Sequence, residues 1–290
     1  MAQLPETDLP PILTGRKALV VGVANEHSIA WGCARALRRA GADIAMTYLN
    51  EKARTYVKPL AEELNAPIFV PLEVRRPAEV EQAFEAIALE WGRLDILVHS
   101  IAFAPKEALQ GRVIDCPRDG FLAAMDVSCW SFLDLARRAE TLMREGGTMI
   151  TMSYLGANEV VENYGIMGPV KAALESAVRY VATELGPKGI RAHAVSPGPL
   201  ATRAASGIRD FDDLMARVSA RAPVRRLVTI DEIGTACVFL ASPYAAAMTG
   251  ETLYIDGGYH ILAYRQRREA ASECTQWRSL PATSTRTGSR

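Results

Sequence analysis

The stretch Lys17-Ala-Leu-Val-Val-Gly22, near the start of the chain, is a short apolar run that ends in glycine. A continuous apolar run of this length is typical of a strand that is buried on both faces, as in parallel sheets with helices on each side. A helical pattern follows it from Ile29 to Ala40 and is closed by Gly41. The stretch therefore predicts a strand–helix unit in which the loop after Gly22 lies at the carboxyl end of the first strand.

The same alternation of apolar runs and amphipathic patterns continues along the chain, without a break in composition. Further strands are predicted at 43–48, 68–72, 95–99, 147–152, 190–195 and 252–255, and further helices at 51–64, 77–91, 120–144, 166–185 and 230–241. This order predicts an α/β fold: one doubly wound, Rossmann-like domain with a mainly parallel seven-stranded sheet and helices on both faces. We place that domain at residues 14–264.

The two ends of the chain differ from this domain. Residues 1–13 are Pro-rich and acidic and predict a loose arm. Residues 265–290 are rich in Arg, Ser and Thr and predict a disordered tail, which is either simply solvated or in contact with an acidic partner.

The bulk composition narrows the functional classes. The chain has 290 residues with 33 Lys+Arg and 33 Asp+Glu, so no net charge indicates a nucleic-acid partner or an anionic membrane. No apolar run approaches the length of a membrane span, and the N-terminus has no signal-peptide pattern. The five scattered cysteines fit neither a zinc site nor a disulfide framework, which favours a reducing compartment. We therefore expect a cytoplasmic protein.

Two tyrosines and a lysine follow the strand predicted at 147–152. Tyr154 comes just after the end of that strand, and Tyr164 and Lys171 lie at or near the start of the next predicted helix. Seven residues are close to two helical turns, so the phenol and the ammonium are expected on one face. A nearby ammonium can lower the pKa of a phenol, and such a pair is a suitable acid for a developing oxyanion. The alternative is a packed Tyr and a solvated Lys.

Pro169 limits where the helix that carries Lys171 can begin. Proline lacks an N–H group and is tolerated only in the first turn of a helix. We therefore predict that regular helix begins near Ile166, and an unbroken helix from Asn158 to Lys171 would contradict this.

The loop after the first strand is a candidate nucleotide site, because ligands of doubly wound sheets bind beyond the carboxyl ends of the strands. Gly22 can make a tight turn, and Ser28 and Ile29 open a helix whose free N–H groups suit a pyrophosphate. Ser28 is equally a plain N-cap candidate. The loop lacks the G-x-G-x-x-G fingerprint and is weak evidence by itself.

The second and third strands end in further candidates, each with a structural alternative. Leu49 follows the second strand, where an acidic residue would bind a ribose hydroxyl. Lys52 and Arg54 either meet a 2′-phosphate or are exposed helix charges. Glu73 and Val74 end the third strand and either contact an adenine edge or face solvent.

The remaining strand ends carry small or polar residues. Ser100 and Ile101 follow the fourth strand and let a cofactor pass closely, whereas His99 is either catalytic or satisfied by backbone groups. Beyond the sixth strand, Thr202 could donate to a cofactor phosphate or amide. The amphipathic pattern at 208–218 is either a lid over an apolar substrate or an ordinary surface helix.

Taken in order, these segments closely resemble the bacterial enoyl-[acyl-carrier-protein] reductases of the short-chain dehydrogenase/reductase superfamily, over roughly residues 13–262. Ordinary members of that superfamily carry Tyr-x3-Lys, whereas the Tyr-x6-Lys spacing of this chain is similar to the enoyl reductase branch. The matching motifs are Gly22-x5-Ser28-Ile29-Ala30, Asp95-Ile-Leu-Val-His-Ser100-Ile101-Ala102-Phe103-Ala104-Pro105, Ser153-Tyr154-Leu-Gly, Tyr164-x6-Lys171, Ser196-Pro-Gly-Pro, Ala204-Ala-Ser-Gly-Ile208 and Asp256-Gly-Gly258.

The resemblance implies a reaction and a role for each matching residue. The enzyme would transfer hydride from NADH, in preference to NADPH, to the β-carbon of a trans-2-enoyl thioester in fatty-acid elongation. Tyr154, Tyr164 and Lys171 would form the catalytic set. Tyr164 would hydrogen-bond the enolate oxygen, Tyr154 and Ala104 would contact the substrate, and the segment 203–222 would cover it. The cofactor would be bound by Gly22, Ser28, Ile29, Leu49, Glu73, Val74, Ser100, Ile101, Lys171, Leu200 and Thr202.

The resemblance also implies partners. The substrate would be carried by acyl carrier protein, and the enzyme would be a homotetramer that binds neither nucleic acid nor membrane. Leu49 stands where many relatives have Gln, which leaves the preference between NADH and NADPH open. Glu73 stands where Asp is usual and is a longer carboxylate that can serve the same role. Two other functions remain at this point: a related short-chain reductase that acts on another enoyl or carbonyl compound, and a nucleotide-binding relative without catalysis.

Overall fold

The computed structural model describes residues 10–202 and 210–262 of the chain. Seven strands lie within them: β1 (Lys17–Val21), β2 (Asp43–Tyr48), β3 (Ile68–Pro71), β4 (Ile96–His99), β5 (Gly147–Met152), β6 (Ile190–Pro197) and β7 (Thr252–Ile255). They form one sheet in the order β3-β2-β1-β4-β5-β6-β7, and each neighbouring pair is parallel. The predicted doubly wound fold is confirmed.

Helices connect the strands and cover both faces of the sheet. In the described ranges they are α1 (Ile29–Arg39), α2 (Glu51–Glu63), α3 (Pro77–Trp91), α4 (Lys106–Leu109), α5 (Arg118–Met125), α6 (Ser131–Glu140), α7 (Met167–Leu185), α8 (Phe211–Arg221) and α9 (Ile230–Ala241). The core on one face contains residues of α1, α2 and α9, and the core on the other contains residues of α3, α6 and α7. Among the described residues, no helix has the length and apolar character that crossing a membrane requires.

The strand order reverses between β1 and β4, so the crevice where such sheets bind ligands opens there. Gly22 ends β1 at this point with a φ of 108°, in the region that side chains disfavour. A Cβ at Gly22 would lie 2.1 Å from the backbone oxygen of Ser100. Because glycine has no Cβ, the backbone after β1 can pass close to the backbone after β4.

Helix α7 begins where Pro169 requires. Its first residue is Met167 and its N-cap is Ile166, so Pro169 lies in the first turn. The prediction of a helix start near Ile166 is confirmed. The buried face of α7 includes Val170, Leu174 and Val178, which pack into the core below β5 and β6.

The predicted helix at 120–144 is wrong in detail. Helix α5 is followed by a π-helical segment at Asp126–Trp130, and α6 then ends at Glu140. The π-helical turn widens the helix next to the site, and it buries Val127, Ser128 and Cys129. The sequence offers no signal for such a turn, because its residues suit an α-helix equally well.

The ends of the chain are only partly described. Leu13, in the predicted loose arm, is 1% exposed, and its N–H group donates to Ala40 O at 2.8 Å, so the arm is fixed at this point. By its internal contacts the chain divides into the units Met1–His260 and Ile261–Arg290, and the second is described only at residues 261 and 262. The predicted tail at 265–290 lies outside the described residues.

Candidate active site

Tyr154 and Tyr164 meet at the carboxyl end of β5. The N–H group of Ser153 donates to Val195 O at 2.7 Å, which extends the pairing of β5 with β6 up to Tyr154. Tyr164 lies in the turn just before α7, since the N–H group of Met167 donates to its carbonyl oxygen at 3.2 Å. The two rings pack with centroids 4.8 Å apart and a 57° angle between their planes. The two phenols therefore form one wall of the site.

Gly156 is a site residue that the sequence did not single out. A Cβ on Gly156 would lie 2.4 Å from Cδ1 of Tyr164, so any other residue would displace the ring. The pattern Ser153-Tyr154-Leu-Gly contains this glycine, but only the fold reveals that Tyr164 packs on it.

Lys171 is buried, with 3% of its surface exposed, and its Nζ donates to the carbonyl oxygen of Met152 at 2.6 Å. Burial lowers the pKa of Lys171 to about 8, although Cys129 and Glu175 act in the opposite direction. The ammonium is thus present at neutral pH. It has two further N–H donors for a ligand, because an ammonium carries three.

The phenol of Tyr164 behaves differently from the expectation. Burial, followed by the neighbouring Tyr154, raises the pKa of Tyr164, and burial likewise raises the pKa of Tyr154. The expected lowering by Lys171 is absent, since the ammonium points to the carbonyl of Met152. Tyr164 is therefore a neutral hydrogen-bond donor at physiological pH.

A buried carboxylate lies behind these residues, and the sequence did not predict it. Glu175 is 5% exposed and follows Lys171 by one turn of α7. Its Oε1 accepts from Ser153 Oγ at 2.5 Å and its Oε2 accepts from Asn158 Nδ2 at 3.1 Å. Asn158 also donates to the hydroxyl of Tyr254 on β7 at 2.9 Å. A glutamate within a helix gives no signal of burial, which explains why the sequence missed it.

His99 has a structural role in this arrangement. Its two ring nitrogens lie 2.8 Å from Thr151 Oγ1 and 2.8 Å from Ser131 Oγ. Burial, together with the charge of Lys171, lowers the pKa of His99 to about 3, so the ring is neutral. The non-catalytic alternative fits the structure, but the partners are side-chain hydroxyls rather than the expected backbone groups.

The loop between β1 and α1 presents free donors to an anion. Ser28 does not cap α1 with its side chain, because its Oγ accepts from the N–H groups of Ala24 and Asn25, both at 3.0 Å. The first turn of α1 contains no acidic residue. The N–H groups at Ile29 and Ala30 thus open onto the crevice with the positive end of the helix dipole. These features fit a dinucleotide pyrophosphate.

The segment after β4 forms the adjacent wall. The N–H group of Ser100 donates to Val21 O at 3.0 Å, which holds this segment beside Gly22. Ser128 fixes the next residues, since its hydroxyl bonds both the N–H group (2.9 Å) and the carbonyl (3.0 Å) of Phe103. Ile101 and Ala104 are half-buried against the core below.

Leu200 and Thr202 follow β6 on the other side of the crevice. Leu200 packs on the core that contains α1 and α9, and the N–H group of Thr202 donates to its carbonyl at 2.7 Å. The structure brings both residues to the carboxyl edge of the sheet, where the sequence predicted them.

Glu73 does not face solvent freely. Its carboxylate binds the guanidinium of Arg75 through two hydrogen bonds of 3.1 Å, and this pair lowers the pKa of Glu73. Arg75 also lies over the ring of Phe103, with 6.0 Å between its Cζ and the ring centroid. Val74 packs against the core. Glu73 retains acceptor capacity for an adenine edge, and Arg75 limits its movement.

The end of β2 carries the cations Lys52 and Arg54, and no acidic residue ends the strand to bind a ribose hydroxyl. Leu49 is 50% exposed, and the side chain of Asn50 caps α2 by accepting from the N–H group of Ala53. Arg54 lies over the Tyr48 ring, 5.9 Å from Cζ to the centroid, and pairs with the exposed Glu51 at 3.5 Å. Lys52 is exposed.

Helix α8 belongs to the segment 203–222 that the sequence predicted to cover the substrate. Residues 203–209 of that segment lie outside the described residues, and within α8 only Val218 is buried. Two polar contacts join α8 and its N-cap to the residues before Tyr164, namely Asn163 to Asp210 at 3.3 Å and Arg217 to Glu162 at 3.1 Å. The amphipathic helix therefore lies beside the tyrosine pair.

Comparison with known proteins identifies the family to which this chain belongs. The sequence matches the family description "Enoyl-(Acyl carrier protein) reductase" over residues 22–260. The chain belongs to the enoyl-(acyl carrier protein) reductase family. A curated relative, "Enoyl-[acyl-carrier-protein] reductase [NADH] 2" of Rhizobium meliloti (strain 1021), is 44% identical over 250 residues, which cover 86% of this chain and 93% of the relative.

Solved structures of the family agree with this assignment. The enoyl-(acyl-carrier-protein) reductase of Anaplasma phagocytophilum in complex with NAD has a TM-score of 0.85 and 42% identity, covering 89% of this chain and 98% of that one. The Bacillus cereus enoyl-acyl carrier protein reductase with NADP+ and indole naphthyridinone also has a TM-score of 0.85, at 43% identity, covering 87% and 99%. The resemblance found in the sequence is confirmed.

Proposed function

We propose that this chain is an NADH-dependent enoyl-acyl carrier protein reductase that reduces the trans-2 double bond of an enoyl thioester in fatty-acid elongation. The observation that carries the proposal is the Tyr154–Tyr164 ring pair at the carboxyl edge of the sheet, together with the buried Lys171, which donates to Met152 O at the end of the same strand. Family membership supports the same reaction, since the curated relatives are named as NADH-dependent reductases.

The cofactor would lie across the strand ends. Ile29 and the free N–H groups of α1 would bind the pyrophosphate in the loop that Gly22 and Ser28 shape. Glu73 and Val74 would contact the adenine, and Lys171 would bind the nicotinamide ribose. The half-buried positions of Ser100, Ile101, Leu200 and Thr202 support cofactor contacts for these residues. Leu49 is exposed at the end of β2, where it would contact the adenosine side of the cofactor.

When bound, NADH would supply the hydride that adds to the β-carbon, which leaves negative charge on the thioester oxygen until protonation completes the saturated acyl chain. Tyr164 then stabilises that oxygen as a neutral donor, because its raised pKa keeps the phenol protonated. The buried ammonium of Lys171 adds positive charge from the ribose side. These two groups are present before the reaction begins, so little reorganisation is needed as charge develops.

Substrate contacts follow from the same wall. Tyr154 packs on Tyr164 and would line the acyl site, and Ala104 would contact the thioester. Helix α8 is joined to the residues before Tyr164 and would cover the acyl chain. The protein thereby excludes water from the developing enolate.

The partner and the assembly belong to the same proposal. The enoyl chain would arrive on acyl carrier protein, in the cytoplasm, and the enzyme would act as a homotetramer. Closed symmetric assembly is the default for soluble homo-oligomers, and exposed apolar side chains such as Trp130 on the described surface support it.

The test is the loss of NADH absorbance with a trans-2-enoyl thioester, repeated with NADPH. We expect rapid oxidation of NADH, and the ratio of the two rates measures what Leu49, Lys52 and Arg54 do at the end of β2. Turnover of a ketone but not of the enoyl thioester would contradict the proposal in favour of a related reductase. NADH binding without turnover of either substrate would indicate a relative without catalysis.

A further inference from the structure

Helix α7 holds the segment that carries Tyr154 at three points. Lys171 Nζ donates to Met152 O at 2.6 Å, just before the tyrosine. Glu175 accepts from Ser153 Oγ at 2.5 Å and from Asn158 Nδ2 at 3.1 Å, on either side of it. A lysine and a glutamate one helical turn apart thus fix both ends of the loop that Tyr154 belongs to.

Glu175 is a carboxylate in a buried position, with 5% of its surface exposed. A buried carboxylate costs stability unless hydrogen bonds and an opposite charge compensate it. Both of its oxygens accept hydrogen bonds, and Lys171 lies one helical turn before it on α7, where the charge of Glu175 raises the pKa of the lysine. Well-packed neutral side chains can often replace buried charged groups without loss of stability. The presence of a charged residue at this position therefore needs an explanation.

The surroundings of Lys171 indicate what the charge does. From β4, His99 faces Lys171 as a neutral ring, because burial lowers the pKa of His99 to about 3. From the π-helical segment, Cys129 faces it as a neutral thiol, since burial raises the pKa of Cys129. Among the groups that act on Lys171 in the described ranges, Glu175 alone is a carboxylate.

We propose that Glu175 is a positioning residue for the reductase reaction: it keeps Lys171 charged and clamps the loop of Tyr154 through Ser153 and Asn158. This inference rests on the proposed function for its catalytic consequence. The electrostatic part concerns the free protein and can be tested without turnover.

The first experiment compares NADH binding by the wild type and by Glu175→Gln across pH 6–10, using the fluorescence of the bound nucleotide. The glutamine keeps the size of the side chain and removes its charge. We expect the pH at which the affinity falls to move down by about one pH unit, because a nearby opposite charge shifts a pKa by this order. At pH 8 the affinity should therefore drop several-fold more than at pH 6.5.

Three further variants distinguish the effect of the charge of Glu175 from the effect of its hydrogen bonds. Ser153→Ala removes one hydrogen bond but leaves the carboxylate, so kcat should fall while the pH of the transition stays in place. Glu184→Gln removes an exposed carboxylate from the same helix and should change neither quantity. A Glu175→Asp variant retains the charge and should restore the pH of the transition more fully than the turnover.

Unfolding supplies a readout that needs no ligand. The pKa of Lys171 is lowered in the folded state, so burying the ammonium costs stability below about pH 8, and this cost fades as the pH rises towards the unfolded value. Loss of Glu175 should deepen the cost while the lysine is charged. Denaturant titrations should therefore find Glu175→Gln more destabilising at pH 7 than at pH 9.5, and Ser153→Ala equally destabilising at both.

The outcomes are distinguishable. An unshifted binding transition, together with a Glu175→Gln penalty that is the same at both pH values, would overturn the role of Glu175. If the wild type binds NADH but does not reduce the enoyl thioester, the proposed function fails. The unfolding data would still decide whether Glu175 keeps Lys171 charged.

Discussion

At the scale of single residues, the direction in which a side chain points decides its chemistry more than its spacing does. The sequence placed Tyr164 and Lys171 together and expected the ammonium to acidify the phenol. In the structure Lys171 Nζ binds Met152 O, and burial raises the pKa of Tyr164. Tyr164 is thus suited to stabilise an oxyanion by donating a hydrogen bond, rather than to exist as phenolate.

Mutation should distinguish the roles of Tyr164 and Lys171. Tyr164→Phe removes the donor to the enolate oxygen, so we expect kcat to fall by about 10²–10³-fold with little change in NADH affinity. Lys171→Ala should weaken NADH binding and turnover together. Steady-state kinetics and NADH fluorescence titration measure both quantities. An equal loss of NADH affinity in the two variants would contradict these roles.

The pKa of Lys171 predicts an alkaline limit to activity. Burial lowers this pKa to about 8, so the ammonium is present below that pH and is lost above it. We expect kcat/KM to decline as the pH rises through about 8. In Lys171→Arg the remaining activity should not decline there, since a guanidinium stays charged. A wild-type profile that is flat up to pH 9.5 would exclude Lys171 as the titrating group.

At the scale of elements, the sequence predicted what depends on local pattern and missed what depends on distant contacts. The strands were predictable because buried parallel strands have continuous apolar sequences. The start of α7 was predictable because Pro169 is tolerated only in the first turn of a helix. The π-helical turn at Asp126–Trp130 has no sequence signal. The partners of His99 and Glu175 lie 17 to 52 residues away along the chain, and only the fold brings them together.

Gly156 offers a test of how the loop after β5 supports Tyr164. A methyl group at this position would lie 2.4 Å from the Tyr164 ring, so Gly156→Ala should displace the ring and destabilise the protein by about 1–3 kcal/mol. Turnover should fall further than the stability loss explains. A Cβ at Gly186 meets nothing within 4 Å, so Gly186→Ala should stay within about 0.5 kcal/mol of the wild type. Equal urea-unfolding midpoints and equal kcat in the two variants would refute the packing role of Gly156.

At the scale of the whole molecule, the order of the strands places the site. Because β1 and β4 are neighbours, the loops after Gly22 and His99 face each other across the crevice, and β5 and β6 deliver the tyrosines and Leu200 beside it. The sequence could predict this arrangement, since right-handed crossovers leave few alternatives. The resemblance predicts a homotetramer, but the sequence does not indicate which surface would form its interfaces, because the outer face of a helix has no pattern that identifies a partner.

Exposed apolar residues on α5 and the π-helical turn predict which surface the proposed homotetramer uses as an interface. Phe121, Leu122 and Trp130 are exposed by 37%, 45% and 57% and lie along α5 and the π-helical turn that follows it. Exposed apolar side chains along one segment indicate an interface, and a tetramer with twofold symmetry needs more than one interface. Trp130→Glu should therefore reduce the tetramer to a smaller species in sedimentation-velocity experiments. Leu89 is 91% exposed on a different helix, α3, and serves as the control, so Leu89→Glu should leave the assembly intact. A wild type that sediments as a monomer would overturn the homotetramer, and a Trp130→Glu tetramer would exclude this surface from the interface.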